Sequence, residues 1–216
     1  MTQSTIRHAI WDVDGTLFDT YPAISAAFLQ ALADFGAYAP LPEIESLARI
    51  ELFHCAAELA SRFSLETNDF LGAFGRHYAA VPPTAQPPFP GVRAVCERIA
   101  ASGGVNAIVT HRHAQSLAGL LAAHGMQALF VEAITRDDGY PRKPDPAAFL
   151  AVLQHQHLDP AETLSIGDRG IDILAGRAAG TRTCLFRGEP SEVPADLTIC
   201  NYSELLEWLD GAGRFS

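Results

Sequence analysis

Asp12-Val13-Asp14-Gly15-Thr16 closes the apolar run Ala9-Ile10-Trp11, at the point where a buried strand would end. On an extended chain, residues i and i+2 share a face, so Asp12 and Asp14 are predicted to project together from a strand tip. Two carboxylates that close repel each other, and one pKa rises unless the charge is offset. A divalent cation is the usual offset, and hard oxygen ligands favour Mg²⁺. Gly15 and Thr16 add a tight turn and a hydroxyl. The rival reading is an Asp-Gly turn carrying two solvated acids, because Asp-Gly is common in turns.

A second chemical signal is compositional. Of the 15 basic residues, Lys143 is the sole lysine and the rest are arginine. A lone ammonium in such a chain suggests a role that a planar guanidinium cannot fill, such as a compact charge at a crowded anionic centre. Chance placement in a biased composition is the alternative.

The elements that must position these residues can be read from periodicity. Ile6 to Asp12 reads as a first strand. Pro22 opens a helical pattern through Ile24, Phe28, Leu32 and Phe35, which Gly36 is placed to end. After Pro40-Leu41-Pro42, helical patterns run over 44–63 and 69–78. Five prolines between Pro82 and Pro90 then exclude a helix or central strand. From Gly91 onward, helical stretches alternate with short apolar runs at 105–109, 129–134, 164–166, 183–186 and 197–200. Strands alternating with helices predict an α/β fold, a parallel sheet with helices on both faces. Residues 1–18 and 88–216 are expected to form that core, with 19–87 as an all-helical insertion after the first strand. Parallel sheets place their chemistry beyond the carboxyl ends of the strands. Asp12 with Asp14, Thr110, Lys143 and Asp168 all fall at or just past such ends. Their shared location outweighs a reading as four unrelated turns.

Composition narrows the function. The chain has 216 residues, 48% of them hydrophobic, enough for one domain carrying a smaller one. The formal charge is 15 − 25 = −10. An acidic chain is a poor match to a nucleic-acid backbone or an anionic membrane. Any anionic substrate needs positive charge gathered locally. No run approaches the ~18 apolar residues of a membrane span, and the polar stretch Met1 to His8 lacks a signal-peptide core. Cys55, Cys96, Cys184 and Cys200 form no Cys-x-x-Cys pair, so neither zinc nor redox chemistry is signalled. Reduced thiols in a cytoplasmic protein are the expectation. The remaining histidines show no metal-ligand spacing, and Asp145 before Pro146 fits a helix cap.

Taken together, these residues resemble the haloacid dehalogenase-like superfamily, in the branch of phosphoglycolate phosphatases and β-phosphoglucomutases with a helical cap. The resemblance rests on Asp12-Val13-Asp14-Gly15-Thr16, on Thr110 after Asn106-Ala107-Ile108-Val109, on Arg142-Lys143-Pro144-Asp145, and on Gly167-Asp168-Arg169-Gly170-Ile171-Asp172. Phe89-Pro90-Gly91-Val92 resembles the family's re-entry into the core. It implies a Rossmann-like core, a cap over 19–87, and a Mg²⁺-dependent phosphatase acting on a small phosphorylated metabolite. Asp12 is then the nucleophile that forms an aspartyl-phosphate, and Asp14 the general acid and base. Thr110 donates to a phosphoryl oxygen, and Lys143 neutralises charge. The implied metal ligands are Asp12, Asp168 and the backbone carbonyl of Asp14. Asp172, one helical turn after Asp168, is placed to orient Lys143 or a metal-bound water; favouring the helix dipole is its other reading. Gly15 and Thr16, His111 and Arg112 at the second motif, and Arg49 and His54 in the helical insertion are the candidate substrate contacts.

Two departures from the family pattern stand out. His111 replaces the usual Asn, with Arg112 after it, and Arg169 replaces a Ser or Thr. One reading gives His111 or Arg112 a second anionic group of the substrate. The other leaves Arg169 snorkelling to solvent and His111 offering only its backbone N–H. Relatives often carry a glycine loop in the cap where Ile50 to Cys55 has none. A sugar phosphomutase and a non-catalytic phosphate-binding regulatory protein are the alternative functions. A phosphonatase needs a cap lysine, and Lys143 is the only lysine. A monomer or homodimer is expected.

Overall fold

The computed structural model describes residues 5–187 and 194–211; the first half of the polar stretch Met1 to His8 lies outside them. The chain forms two compact units, Asp19–Pro87 and a second built from Met1–Phe18 with Pro88–Ser216.

The helical unit holds α1 (Tyr21–Asp34), α2 (Leu41–Ile50), α3 (Leu52–Arg62) and α4 (Thr67–Ala79). Pro22 lies in the first turn of α1, where its missing N–H costs nothing. Phe28, Leu32, Ile44, Leu59 and Phe70 are fully buried among these helices, and Phe28 stacks on Phe74. The periodic span 44–63 is not one helix. Glu51 is extended, with φ −166° and ψ 144°, and separates α2 from α3. No proline or glycine marks that break.

The other unit is a six-stranded sheet of β1 (His8–Trp11), β2 (Asn106–Val109), β3 (Glu132–Ile134), β4 (Thr163–Gly167), β5 (Arg182–Phe186) and β6 (Leu197–Ile199). The order is β3-β2-β1-β4-β5-β6, and every pairing is parallel. Its helices are α5 (Val92–Ala101), α6 (Ala114–Ala123), α7 (Ala147–His155), α8 (Gly170–Ala178) and α9 (Tyr202–Asp210). Alternation along the strands sorts them onto two faces. Ala9, Trp11, Ile108, Ile166 and Phe186 pack with α5, α6 and α9. Ile10, Ala107 and Val109 pack with α7 and α8. Strands buried on both sides read as continuous apolar runs, as these do. The fold is Rossmann-like α/β, as the alternating pattern predicts. β1 and β4 are central neighbours, so the loops after Trp11 and Gly167 emerge side by side.

Candidate active site

The strand β1 stops at Trp11. Asp12 keeps one sheet bond, its N–H donating to Ile166 O at 2.9 Å. Val13 O then accepts from both Thr16 N–H (3.3 Å) and Phe18 N–H (3.0 Å), and Gly15 takes φ 80°, where only glycine is unstrained. A turn this tight abolishes the two-residue alternation. Asp12 and Asp14 therefore diverge, contrary to the prediction that they project together, and each meets its own cation.

Asp12 is buried against Lys143. The Nζ of Lys143 donates to Asp12 Oδ1 at 2.6 Å and to Asp172 Oδ1 at 2.7 Å, and the lysine side chain is 2% exposed. Burial and the Asp172 charge push the Asp12 carboxyl above its ordinary range, although Lys143 pulls the other way. Burial alone would weaken the Lys143 ammonium, but Asp12 and Asp172 overturn that and raise its pKa. Burial likewise opposes the Asp172 charge, yet Lys143 and Arg169 hold its carboxyl below the usual value.

Asp172 reaches this position across Gly167. A Cβ on Gly167 would stand 2.3 Å from Asp172 Cβ, so no side chain fits there. Asp172 sits in the first turn of α8, and its Oδ2 accepts from Arg169 N–H at 3.2 Å. Cap and lysine partner are thus one residue. Asp168, 6% exposed, accepts from Thr16 Oγ1 at 3.3 Å, joining the two central loops. Tyr202, at the start of α9, donates its hydroxyl to Thr16 O at 2.9 Å.

Ligand oxygens of Asp12, Asp168 and Asp172 lie within 4.8 Å of one another, all three residues buried. Both Asp172 oxygens already have donors, but the buried Asp12 Oδ2 has no hydrogen-bond partner. An orphaned carboxylate oxygen beside a second acid fits a hard divalent cation. The residues present therefore suit a divalent cation such as Mg²⁺, which Asp12 and Asp168 would hold.

The second strand end supplies Thr110, His111 and Arg112. Thr110 Oγ1 accepts from Arg112 N–H at 3.1 Å, which leaves its O–H to donate elsewhere. The His111 Nε2 accepts from the backbone N–H of Lys143 at 3.0 Å. Burial first, then Lys143, Arg142 and Arg169, push this imidazole down to about 3, so it stays neutral. His111 therefore seats the lysine loop through its ring, beyond the backbone contact considered for it. Arg112 is engaged within the protein. Its Nη2 and Nε (3.3 Å) hold the two Asp14 oxygens, and its Nη1 donates to Ser116 Oγ at 2.8 Å. Arg169 does not run to solvent, its side chain being 19% exposed with Nε 3.9 Å from Asp172 Oδ2. Thr110, His111, Tyr140, Arg142 and Lys143 help line a cavity of about 80 Å³ beside the strand ends.

Arg49 and His54 belong to the helical unit. Arg49 pairs with Glu45 at 2.7 Å and lies 4.1 Å over the Tyr21 ring; His54 is exposed on α3. Asp145 Oδ1 accepts from Ala147 N–H at 2.9 Å, at the start of α7. Sequence reasoning missed Ser116, the Arg112–Asp14 pair and the role of Gly167. The glycine before Asp168 was the one visible signal among these.

Comparison with known proteins bears on this geometry. The family model described as haloacid dehalogenase-like hydrolase matches residues 9–186. The plasmid-borne phosphoglycolate phosphatase of Cupriavidus necator is 31% identical over 204 residues, covering 87% of this chain and 86% of that protein. Phosphoglycolate phosphatase 1 of Pseudomonas aeruginosa is 30% identical, covering 96% and 81%. Among solved structures, a hydrolase from Streptococcus pneumoniae is 29% identical with a TM-score of 0.68, covering 95% and 99%. A haloacid dehalogenase family hydrolase from Deinococcus radiodurans, solved with bound phosphate and sodium, shares the fold at 22% identity and a TM-score of 0.80, covering 97% of each chain.

Proposed function

The chain belongs to the haloacid dehalogenase-like hydrolase family, and from that premise we propose that it is a Mg²⁺-dependent phosphatase working through an aspartyl-phosphate on Asp12. The class of chemistry is phosphoric monoester hydrolysis. One observation carries the finer reading: Asp12 is a buried carboxylate with one oxygen on the lone lysine and the other without a partner. Lys143 opposes the protonation that burial favours, and the carboxylate retains an electron pair for phosphorus.

In the first step an Asp12 oxygen bonds to phosphorus as the ester P–O bond breaks. The leaving oxygen takes that electron pair and a proton from Asp14. In the second step Asp14 accepts a proton from water, whose oxygen attacks phosphorus and returns Asp12 as a carboxylate with release of inorganic phosphate. Lys143 and the Thr110 hydroxyl stabilise charge on the phosphoryl oxygens. When bound by Asp12, Asp168 and the backbone carbonyl of Asp14, Mg²⁺ supplies further charge neutralisation. Asp172 orients Lys143. The acidic chain gathers Arg112, Arg142, Lys143 and Arg169 at the strand ends, which suits an anionic substrate.

We assign the substrate to small phosphorylated metabolites, phosphoglycolate among them because the curated relatives carry that name. The helical unit, residues 19–87, is assigned the role of a cap that selects the substrate. A panel of about a hundred phosphorylated metabolites with Mg²⁺, read by released phosphate, tests this. Turnover abolished by Asp12→Asn is expected. A wild-type protein inactive on the whole panel would sink the reading, and conversion of a sugar 1-phosphate to its 6-phosphate without phosphate release would replace it with a mutase.

A further inference from the structure

We propose that Arg112 is a latch on Asp14: its guanidinium holds the carboxylate in the free enzyme and exchanges it for phosphoryl oxygen when phosphate enters. The latch rests on the phosphatase reading of the same site.

Three observations carry it. First, both Asp14 oxygens are engaged by the Arg112 fork, and Asp14 stays outside the buried Asp12, Asp168 and Asp172 group. A carboxylate held that way is not presented to a leaving oxygen, so the pair must open for Asp14 to act. Second, the two partners differ in freedom. The Arg112 side chain is 6% exposed and fixed by Ser116 Oγ, whereas that of Asp14 is 28% exposed. Asp14 is therefore the partner that moves. Third, the backbone N–H of Arg112 is bonded to Thr110 Oγ1, the hydroxyl assigned to the phosphoryl group. This ties the Arg112 backbone to the residue that would meet the anion, while Ser116 Oγ and Asp14 place its guanidinium. A guanidinium fork matches carboxylate and phosphate equally in geometry, and phosphate brings the greater charge. Substrate entry then frees Asp14 and places it next to the ester oxygen in one event.

The latch predicts competition, which a double-mutant cycle on phosphate binding reads directly. Inorganic phosphate is titrated calorimetrically, with Mg²⁺, into wild type, Asp14→Asn, Arg112→Gln and the double variant. Asp14→Asn removes the competitor and is expected to tighten phosphate roughly tenfold, the scale of one charge-assisted hydrogen bond. In the Arg112→Gln background the same change is expected to shift Kd by less than about twofold, the limit for uncoupled sites. Equal tightening in both backgrounds would mean only general relief of repulsion and would overturn the latch, as would no tightening at all. Should Arg112→Gln fail to fold, Arg112→Lys keeps the charge and loses the fork, and the coupling is expected to fall below half; an undiminished coupling overturns the proposal. Ester turnover by the same wild-type preparation separates the two claims. Turnover without Asp14–Arg112 coupling removes the latch alone; neither turnover nor phosphate binding removes both.

Discussion

Lys143 meets Asp12 through a single 2.6 Å contact that leaves the second Asp12 oxygen without a partner. The ammonium is shared with Asp172, so one cation serves two buried acids. Its compactness matters, because a single ammonium serves both acids from one atom, whereas a guanidinium spreads its charge and donors over a wider plane.

Lys143→Met leaves two buried carboxylates uncompensated. A loss of about 3–5 kcal/mol in stability is expected at neutral pH. The pH dependence has a definite sign. Without the ammonium, burial raises the folded-state pKa of both acids, so the folded form holds protons and stability falls as pH rises. Thermal melts of the variant should lie closer to wild type at pH 5 than at pH 8; the opposite order would show that Lys143 does not compensate these acids.

Gly167→Ala puts a methyl 2.3 Å from Asp172 Cβ. Overpacking of this kind costs about 1–3 kcal/mol, and here it also pushes Asp172 off Lys143. A drop in kcat larger than the change in KM is expected, together with a lower melting temperature. Normal kcat in a folded variant would remove Asp172 from the positioning of Lys143.

Mg²⁺ at roughly a hundred times its Kd should raise the wild-type melting temperature by about 5–10 °C. Asp168→Asn should abolish that shift, because it removes one of the two side-chain ligands assigned to the metal. A shift that survives the substitution would move the metal away from Asp168.

His111 supplies the cleanest acid-side signal. Its ring is held down at about 3 by burial and neighbouring cations, against about 6.5 in an unfolded chain. The unfolded state therefore binds the extra proton, and the stability from neutral His111 is full above about pH 6.5 and lost as pH falls toward about 3. His111→Asn keeps an acceptor that cannot be protonated, so the melting temperature should decline less between pH 7 and pH 5 than in wild type. An identical decline would place the titrating proton elsewhere.

The strand ends were legible because a buried parallel strand is a short apolar run, and polar residues at its carboxyl end stand out. Thr110 and Asp168 could be placed for that reason, and Lys143 because it is the one lysine of the sequence. Side-chain partners were less accessible. Whether Asp14 follows Asp12 depends on where extension stops, and the turn after Trp11 is set by hydrogen bonds to Val13 O that composition does not announce. The Arg112–Asp14 pair joins residues 98 positions apart and depends on rotamers that no spacing reveals. The break at Glu51 was invisible for another reason: the chain turns there on an ordinary extended residue, with no proline or glycine to mark it.

The hydroxyl of Tyr202 on Thr16 O has a consequence for how the chain is made. Thr16 is synthesised 186 positions before the tyrosine that clasps it. The loop after Trp11 therefore waits for α9 before this clasp can close, and its final geometry depends on a segment made long after it.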